Sequence, residues 1–223
     1  MKKILVVSPH PDDEILGAGG YLLKHKKIGD EIFWLIVTNI KEEYGYEKEK
    51  CEKRQHEIKL ISKKLGIKKI YMLDLEPAGL DKYESRKVIK MIFDVINDCD
   101  PNTVILPDYY DAHTDHRITY ERAMACLKSF RSINVQVIMC MQILSETDYS
   151  YLGKAFNANY FVDIEREIDD KIDLMRIYSS ELFEFPFPRS EVAIRALAKV
   201  NGASSMCKAA EAFKIIKCIE RNI

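Results

Sequence analysis

Short continuous apolar runs alternate with longer stretches of helical spacing through the first two-thirds of the chain, and this alternation limits the fold more than any other feature. Ile4-Leu5-Val6-Val7 is the first run, and Ile32 to Val37, with the only tryptophan at Trp34, is the second. Ile70 to Leu75, Thr103 to Leu106 and Val135 to Ile143 follow. Runs without polar alternation fit strands buried on both faces. Between them, Glu14 to Ile28, Glu47 to Leu65, Ser85 to Cys99 and Arg117 to Phe130 carry helical spacing. Gly66 stands where a helix C-terminal glycine belongs, and Pro101 blocks extension of the third helix. Crossovers of this length predict an α/β fold: a Rossmann-like, mostly parallel sheet flanked by helices on both faces.

After about residue 144 the pattern changes, which predicts a small C-terminal α+β extension on a core spanning about 1–143, within a single domain of 223 residues. Ser145 to Asn159 reads as loop, Tyr160 to Asp163 as a short strand, and Ile164 to Tyr178 and Glu191 to Val200 as helices. Ala212 to Ile219 fits strand and helix equally well.

Open α/β sheets bind ligands at the carboxyl ends of their strands. The first strand is followed by Ser8-Pro9-His10-Pro11-Asp12-Asp13-Glu14, the fourth by a loop from Pro107 to His116 containing Asp108, Asp111, His113, Asp115 and His116. These two segments hold three of the five histidines and six acids. In a doubly wound sheet the two strands can be neighbours, which makes the loops one candidate metal site. His10, Asp13 and His116 supply two imidazoles and a carboxylate, the donor set of a catalytic zinc site with an open position. Asp12, beside a ligand, is the candidate general base. His113 is the candidate acid or oxyanion donor, and Asp115 can orient an imidazole from behind. The plain alternative is that Asp12, Asp13 and Glu14 complement a helix dipole and that the histidines are solvated. The coincidence of both clusters after buried-type strands favours the site.

The segment from Val7 to Glu14, followed by Gly17-Ala18-Gly19-Gly20, resembles the signature of the LmbE-like (PIG-L) deacetylases. His113-Thr114-Asp115-His116 resembles that family's second motif. The likeness continues through Arg54, Glu57 and Leu65-Gly66, and through Phe161-Val162-Asp163-Ile164, Lys171 and Ala210-Glu211-Ala212-Phe213. It implies one zinc ion, with ferrous iron or another divalent ion as the variant, held by His10, Asp13 and His116. It implies Asp12 as base and His113 as its electrophilic partner, with Glu14 and Asp115 supporting them. Arg54 resembles a family arginine that binds substrate. Asp111 stands where some members place a tyrosine beside the oxyanion, and is assigned with Arg54 to the substrate. The implied activity is removal of an N-acyl group from an N-acetylglucosamine-type amino sugar. The resemblance also implies a homo-oligomer.

Three other readings compete. The same donor set suits a ferrous-iron oxygenase. The glycines after the first strand could open a dinucleotide site, but the acidic turn before them repels pyrophosphate, and Thr38-Asn39 stands where the ribose-binding acid belongs. A catalytically idle carbohydrate-binding relative is the third.

Composition removes further classes. Thirty-four basic and 35 acidic residues leave a formal net charge of -1, without the basic excess that nucleic-acid binding uses. The six cysteines form no C-x-x-C pair, which fits reduced thiols. The N-terminal apolar run ends at Pro9 without the pattern of a signal peptide, and no stretch reaches membrane-spanning length. The expected location is cytoplasmic. Tyr44, Tyr46 and Tyr149 are candidates for stacking on a sugar, and 42–50, 76–83 and 145–159 are expected to wall the pocket.

Overall fold

A computed structural model describes residues 1–220. Seven strands form one sheet: β1 (Lys3–Ser8), β2 (Glu31–Thr38), β3 (Lys69–Leu75), β4 (Thr103–Leu106), β5 (Val137–Met141), β6 (Tyr160–Asp163) and β7 (Ala210–Cys218). The helices are α1 (Asp13–Lys27), α2 (Lys48–Leu65), α3 (Ser85–Cys99), α4 (Thr114–Cys126), α5 (Ile168–Met175) and α6 (Glu191–Ser205). The spatial order is β3-β2-β1-β4-β5-β7-β6. Strands β1 to β5 run parallel, and β7 pairs antiparallel with both β5 and β6. The architecture is the Rossmann-like α/β sheet that the apolar runs predict.

Alternate residues of each strand serve opposite layers, as the pleat requires. Ile4 and Val6 pack with α1, α2, α5 and α6, whereas Leu5 and Val7 pack with α3 and α4. Both layers are apolar, which is why β1 reads as an unbroken hydrophobic run. β1 pairs with β2 on one side and β4 on the other, and the chain direction of winding reverses between β1 and β4. The carboxyl ends of these two strands therefore open onto one crevice.

The C-terminal segment is part of the same sheet. Ala212 to Ile219, ambiguous in sequence, falls largely within β7, which is inserted between β5 and β6. Three expected helices have clearly different limits: the segment 164–178 is helical over Ile168–Met175, the helix expected over 191–200 continues to Ser205, and the fourth helix runs from Thr114 to Cys126 instead of 117–130. The earlier start places His116 in a first helical turn rather than on a loop.

The glycines of α1 admit close packing, not a phosphate. A Cβ on Gly17 would lie 2.6 Å from Met141 Cγ, and one on Gly20 would lie 2.6 Å from Ile164 Cγ2. The same helix is pinned by an almost completely buried ion pair. Lys171 Nζ lies 2.7 Å from Glu211 Oε1 and donates to the Leu16 carbonyl at 2.8 Å. Glu211 accepts the amides of Gly20 and Tyr21 at 2.8 and 2.7 Å. Cys99, Cys126 and Cys140 are buried, and all six cysteines are free thiols. Among the described residues no helix is long and apolar enough to cross a membrane.

Candidate active site

The first wall of the crevice is the β1–α1 turn. Thr38, ending β2, secures it by donating its amide and hydroxyl to the Pro9 carbonyl at 2.9 and 2.8 Å. His10 and Asp13 flank the turn, and the His10 amide donates to Asp13 Oδ2 at 2.9 Å. Asp12 sits between them with φ 137°, outside the regions an L-residue normally occupies. Its amide donates to Glu14 Oε2 at 3.1 Å. Glu14 is fully buried and accepts the Tyr178 hydroxyl at 2.8 Å on its other oxygen. Although Asp12 occupies the cap position of α1, its side chain makes no capping bond. Asp12, Asp13 and Glu14 are all buried, and His116 is buried rather than solvated as the plain alternative had it.

The second wall is the β4–α4 loop. His113 caps α4 through Nδ1, which accepts the Asp115 amide at 3.1 Å. That leaves Nε2 to carry the proton of the neutral ring. Asp115 is fully buried, lies 3.0 Å from His10 Nε2, and accepts the amides of Ala78 and Leu80. His116 Nδ1 lies 2.9 Å from Asp111 Oδ2, and Asp111 Oδ1 accepts the Thr147 hydroxyl at 2.8 Å. Asp111 is completely buried beneath His116 and does not line the cavity, unlike the substrate contact expected from its position.

The turn and the loop converge. Asp13 Oδ2 lies 3.5 Å from His10 Nδ1 and 3.3 Å from His116 Nε2, and the three donor atoms fall within 4.8 Å of one another. His116 Nε2 is buried without a hydrogen-bond partner. Each imidazole is backed through its other nitrogen by a carboxylate, Asp115 for His10 and Asp111 for His116. This is the usual support of a metal-ligating histidine. The orphaned nitrogen and the donor chemistry fit a divalent cation. His10, His113 and Asp115 also lie close together. There, however, Asp115 and His113 Nδ1 are already engaged by backbone amides.

The electrostatics follow from this crowding of acids and imidazoles. Burial alone would lower His10, but the hydrogen bonds it donates to Asp115 and Asp13 outweigh it and raise the imidazole to about 9. Burial is likewise outweighed at His116, raised by Asp13 and Asp111, and at Asp13, held well below the usual range by His116 and His10. Burial and the charge of Asp13 push Asp12 up to about 7, against the pull of Arg189. Burial, with His10 and His116 nearby, drives His113 down to about 4. Burial raises Glu14 to about 8.

His10, Asp12, Asp13 and His113 line a cavity of about 310 Å³, and His116 lies behind it. The expected walls contribute Tyr46 and Lys50, Pro77 and Ala78, and Glu146. Tyr44 instead donates its hydroxyl to the Asp74 carbonyl, and Tyr149 is exposed; neither lines the cavity. Arg54 lines it and is tied down by Pro11 O at 2.8 Å, Glu57 at 3.1 Å and Glu181 at 2.5 Å. Two charged lining residues, Glu181 and Arg189, lie outside every segment expected to wall the cavity. The one sequence cue was Ser190, whose hydroxyl caps α6 and so places Arg189 at an element boundary.

Fold and site together define an α/β protein that gathers two imidazoles and one carboxylate, a candidate cation site, at the switch point of a parallel sheet. The family model for PIG-L, described as GlcNAc-PI de-N-acetylase, matches residues 5–127, and the chain belongs to that family. It is 29% identical to diacetylchitobiose deacetylase of Thermococcus kodakarensis, over 97% of this chain and 84% of the relative. The solved structure of N,N'-diacetylchitobiose deacetylase from Pyrococcus horikoshii superposes with a TM-score of 0.76 at 25% identity, covering 97% of this chain and 84% of that one. GalB, the 4-carboxy-2-hydroxymuconate hydratase of Pseudomonas putida KT2440, superposes with a TM-score of 0.74 at 14% identity, with full coverage of both chains. At that identity the likeness is one of fold.

Proposed function

We propose that this protein is a zinc-dependent hydrolase that removes the N-acetyl group from an N-acetylglucosamine-type amino sugar or a conjugate of one. The observation that carries this reading is the convergence of His10 Nδ1, Asp13 Oδ2 and His116 Nε2 on one point, with the carboxylate of Asp12 beside them at the cavity. Family membership and the two chitobiose deacetylases support the choice of substrate class.

His10, Asp13 and His116 would hold the ion. The chemistry zinc supplies in such a site is Lewis-acid polarisation of a carbonyl and acidification of water to a pKa of about 7. The remaining work belongs to the chain. Asp12 accepts a proton from the attacking water and returns it to the departing nitrogen. His113, neutral with its proton on Nε2, donates a hydrogen bond to the carbonyl oxygen as negative charge builds there. Arg54 and Tyr46, on the cavity wall, engage the sugar hydroxyls and ring face. Overall the amide C–N bond breaks and a C–O bond forms from water, giving acetate and the free ammonium sugar.

The test is deacetylation of N,N'-diacetylchitobiose and of N-acetylglucosamine, followed as acetate release. Activity should vanish in chelator-treated protein and return with zinc. Metal-free protein as active as the zinc-loaded form removes the metal from the reading. Activity restored by ferrous iron alone, with oxygen uptake, favours the oxygenase.

A further inference from the structure

The acid assigned as general base is not free to turn. Asp12 Oδ2 lies 2.7 Å from Arg189 Nη1, whereas among the described residues Oδ1 has no hydrogen-bond partner, and Asp12 lines the cavity. Arg189 is itself tied at each of its nitrogens. Nε donates to Ser145 Oγ at 2.8 Å, Nη1 also reaches Glu181 Oε2 at 3.3 Å, and Nη2 lies 3.6 Å from Glu146 Oε1. Its backbone is fixed by the next residue, since Ser190 is buried and its hydroxyl caps α6. Glu181 is gripped from the other side by Arg54, which in turn holds the carbonyl of Pro11, the residue before Asp12. A closed chain of contacts, Pro11–Arg54–Glu181–Arg189–Asp12, therefore encircles the tip of the β1–α1 turn.

We infer that Arg189 is a positioning residue for the general base: it holds Oδ2 of Asp12 so that Oδ1 alone faces the reacting water. The inference rests on the role proposed above for Asp12. A carboxylate rotating freely about its terminal bond offers either oxygen in any orientation. A guanidinium is a planar fork of donors that is charged at all working pH values, and fixes one oxygen in both distance and plane. The proton that leaves water goes to Oδ1, and the same oxygen delivers it to the departing nitrogen, while Arg189 stays charged throughout. Nothing in this arrangement requires Arg189 to touch the sugar, so its loss falls on turnover rather than on substrate binding.

The experiment is steady-state deacetylation of N,N'-diacetylchitobiose by zinc-loaded wild-type, Arg189→Met and Arg189→Lys proteins, with thermal stability and zinc content measured on each. For Arg189→Met, kcat should fall about 10- to 100-fold with KM within about threefold of wild type and one zinc retained. Arg189→Lys should fall between the two. Millimolar guanidinium chloride should restore part of the kcat of Arg189→Met and none of that of Asp12→Asn. A rise in KM with kcat preserved would make Arg189 a substrate contact and overturn the inference, as would wild-type kcat in Arg189→Met. Should Arg189→Met not fold, Arg189→Lys decides: a kcat loss of at least threefold at unchanged KM supports the inference, and wild-type kcat overturns it. An inactive wild-type protein would instead refute the proposed function.

Discussion

His116 Nδ1 and Asp111 Oδ2 lie 2.9 Å apart, both shut off from solvent beneath the cavity floor. The contact leaves Nε2 of His116 to face Asp13 and, in the proposed function, to serve as the ligand nitrogen. Under that proposal Asp111 acts through His116 rather than on the sugar. Replacing it with asparagine keeps an acceptor for the imidazole but removes the charge that makes the ring a stronger donor. We expect Asp111→Asn to weaken zinc binding about 10- to 100-fold, measured by competition with a chromophoric chelator. At saturating zinc its KM should match wild type. A raised KM with unaltered zinc affinity would return Asp111 to the substrate side.

Asp12 contributes an acceptor and no ligand atom in the proposed mechanism. Asp12→Asn preserves the size of the side chain and leaves His10, Asp13 and His116 untouched. Zinc content should stay at one per chain while kcat falls by about 10²- to 10⁴-fold, the range for losing a general base. The measurement is metal analysis and acetate release on the same preparation. Near-normal turnover in this variant would take Asp12 out of the chemistry.

Much of this site was legible because its residues follow buried strands. The apolar run Ile4 to Val7 announces a strand, a parallel strand announces its carboxyl end, and His10, Asp12 and Asp13 come next. The same reasoning found His113 and His116 after β4. It set the start of α4 too late because histidine is not among the usual capping residues, and only the coordinates show His113 Nδ1 accepting the Asp115 amide. Glu181 and Arg189 fell outside the expected walls, and Glu146 was marked only by lying within the expected 145–159 wall. They lie in irregular segments where neither a period of two nor one of 3.6 marks a charged residue as inward-facing. The antiparallel insertion of β7 between β5 and β6 depends on long-range pairing, to which local pattern is blind.

The pair Lys171–Glu211 should dominate the stability of the C-terminal segment, since it ties α5 and β7 to the backbone of α1. Glu211 has two amide donors besides Lys171, whereas among the described residues the ammonium of Lys171 has just the Leu16 carbonyl besides Glu211. Glu211→Gln therefore strands a buried ammonium, and we expect it to cost about 3–5 kcal/mol in urea unfolding at neutral pH. Lys171→Met should cost less, because the carboxylate keeps its amides. A Glu211→Gln protein within about 0.5 kcal/mol of wild type would show that the ammonium finds water or another partner.

Asp30 gives the fold a pH dependence remote from the cavity. It accepts the Lys2 amide at 2.6 Å and lies 2.7 Å from His25 Nδ1, joining the end of α1 to the start of β1. Burial lowers His25 by more than its bond to Asp30 raises it, so the ring is neutral at pH 7 and donates to a carboxylate. Burial would raise Asp30, but the bonds from His25 and the Lys2 amide outweigh it and hold the carboxyl below its ordinary value. A depressed carboxyl stabilises the fold above its unfolded pKa of about 3.9, and that contribution disappears as the pH falls through the folded value. Asp30→Asn should therefore melt below wild type at pH 7, and the gap should close as the pH falls below about 4 and the wild-type carboxyl takes up its proton. The check is Tm against pH for the two proteins. A gap that stays constant to the acid end would mean that Asp30 acts by packing, with no contribution from its charge.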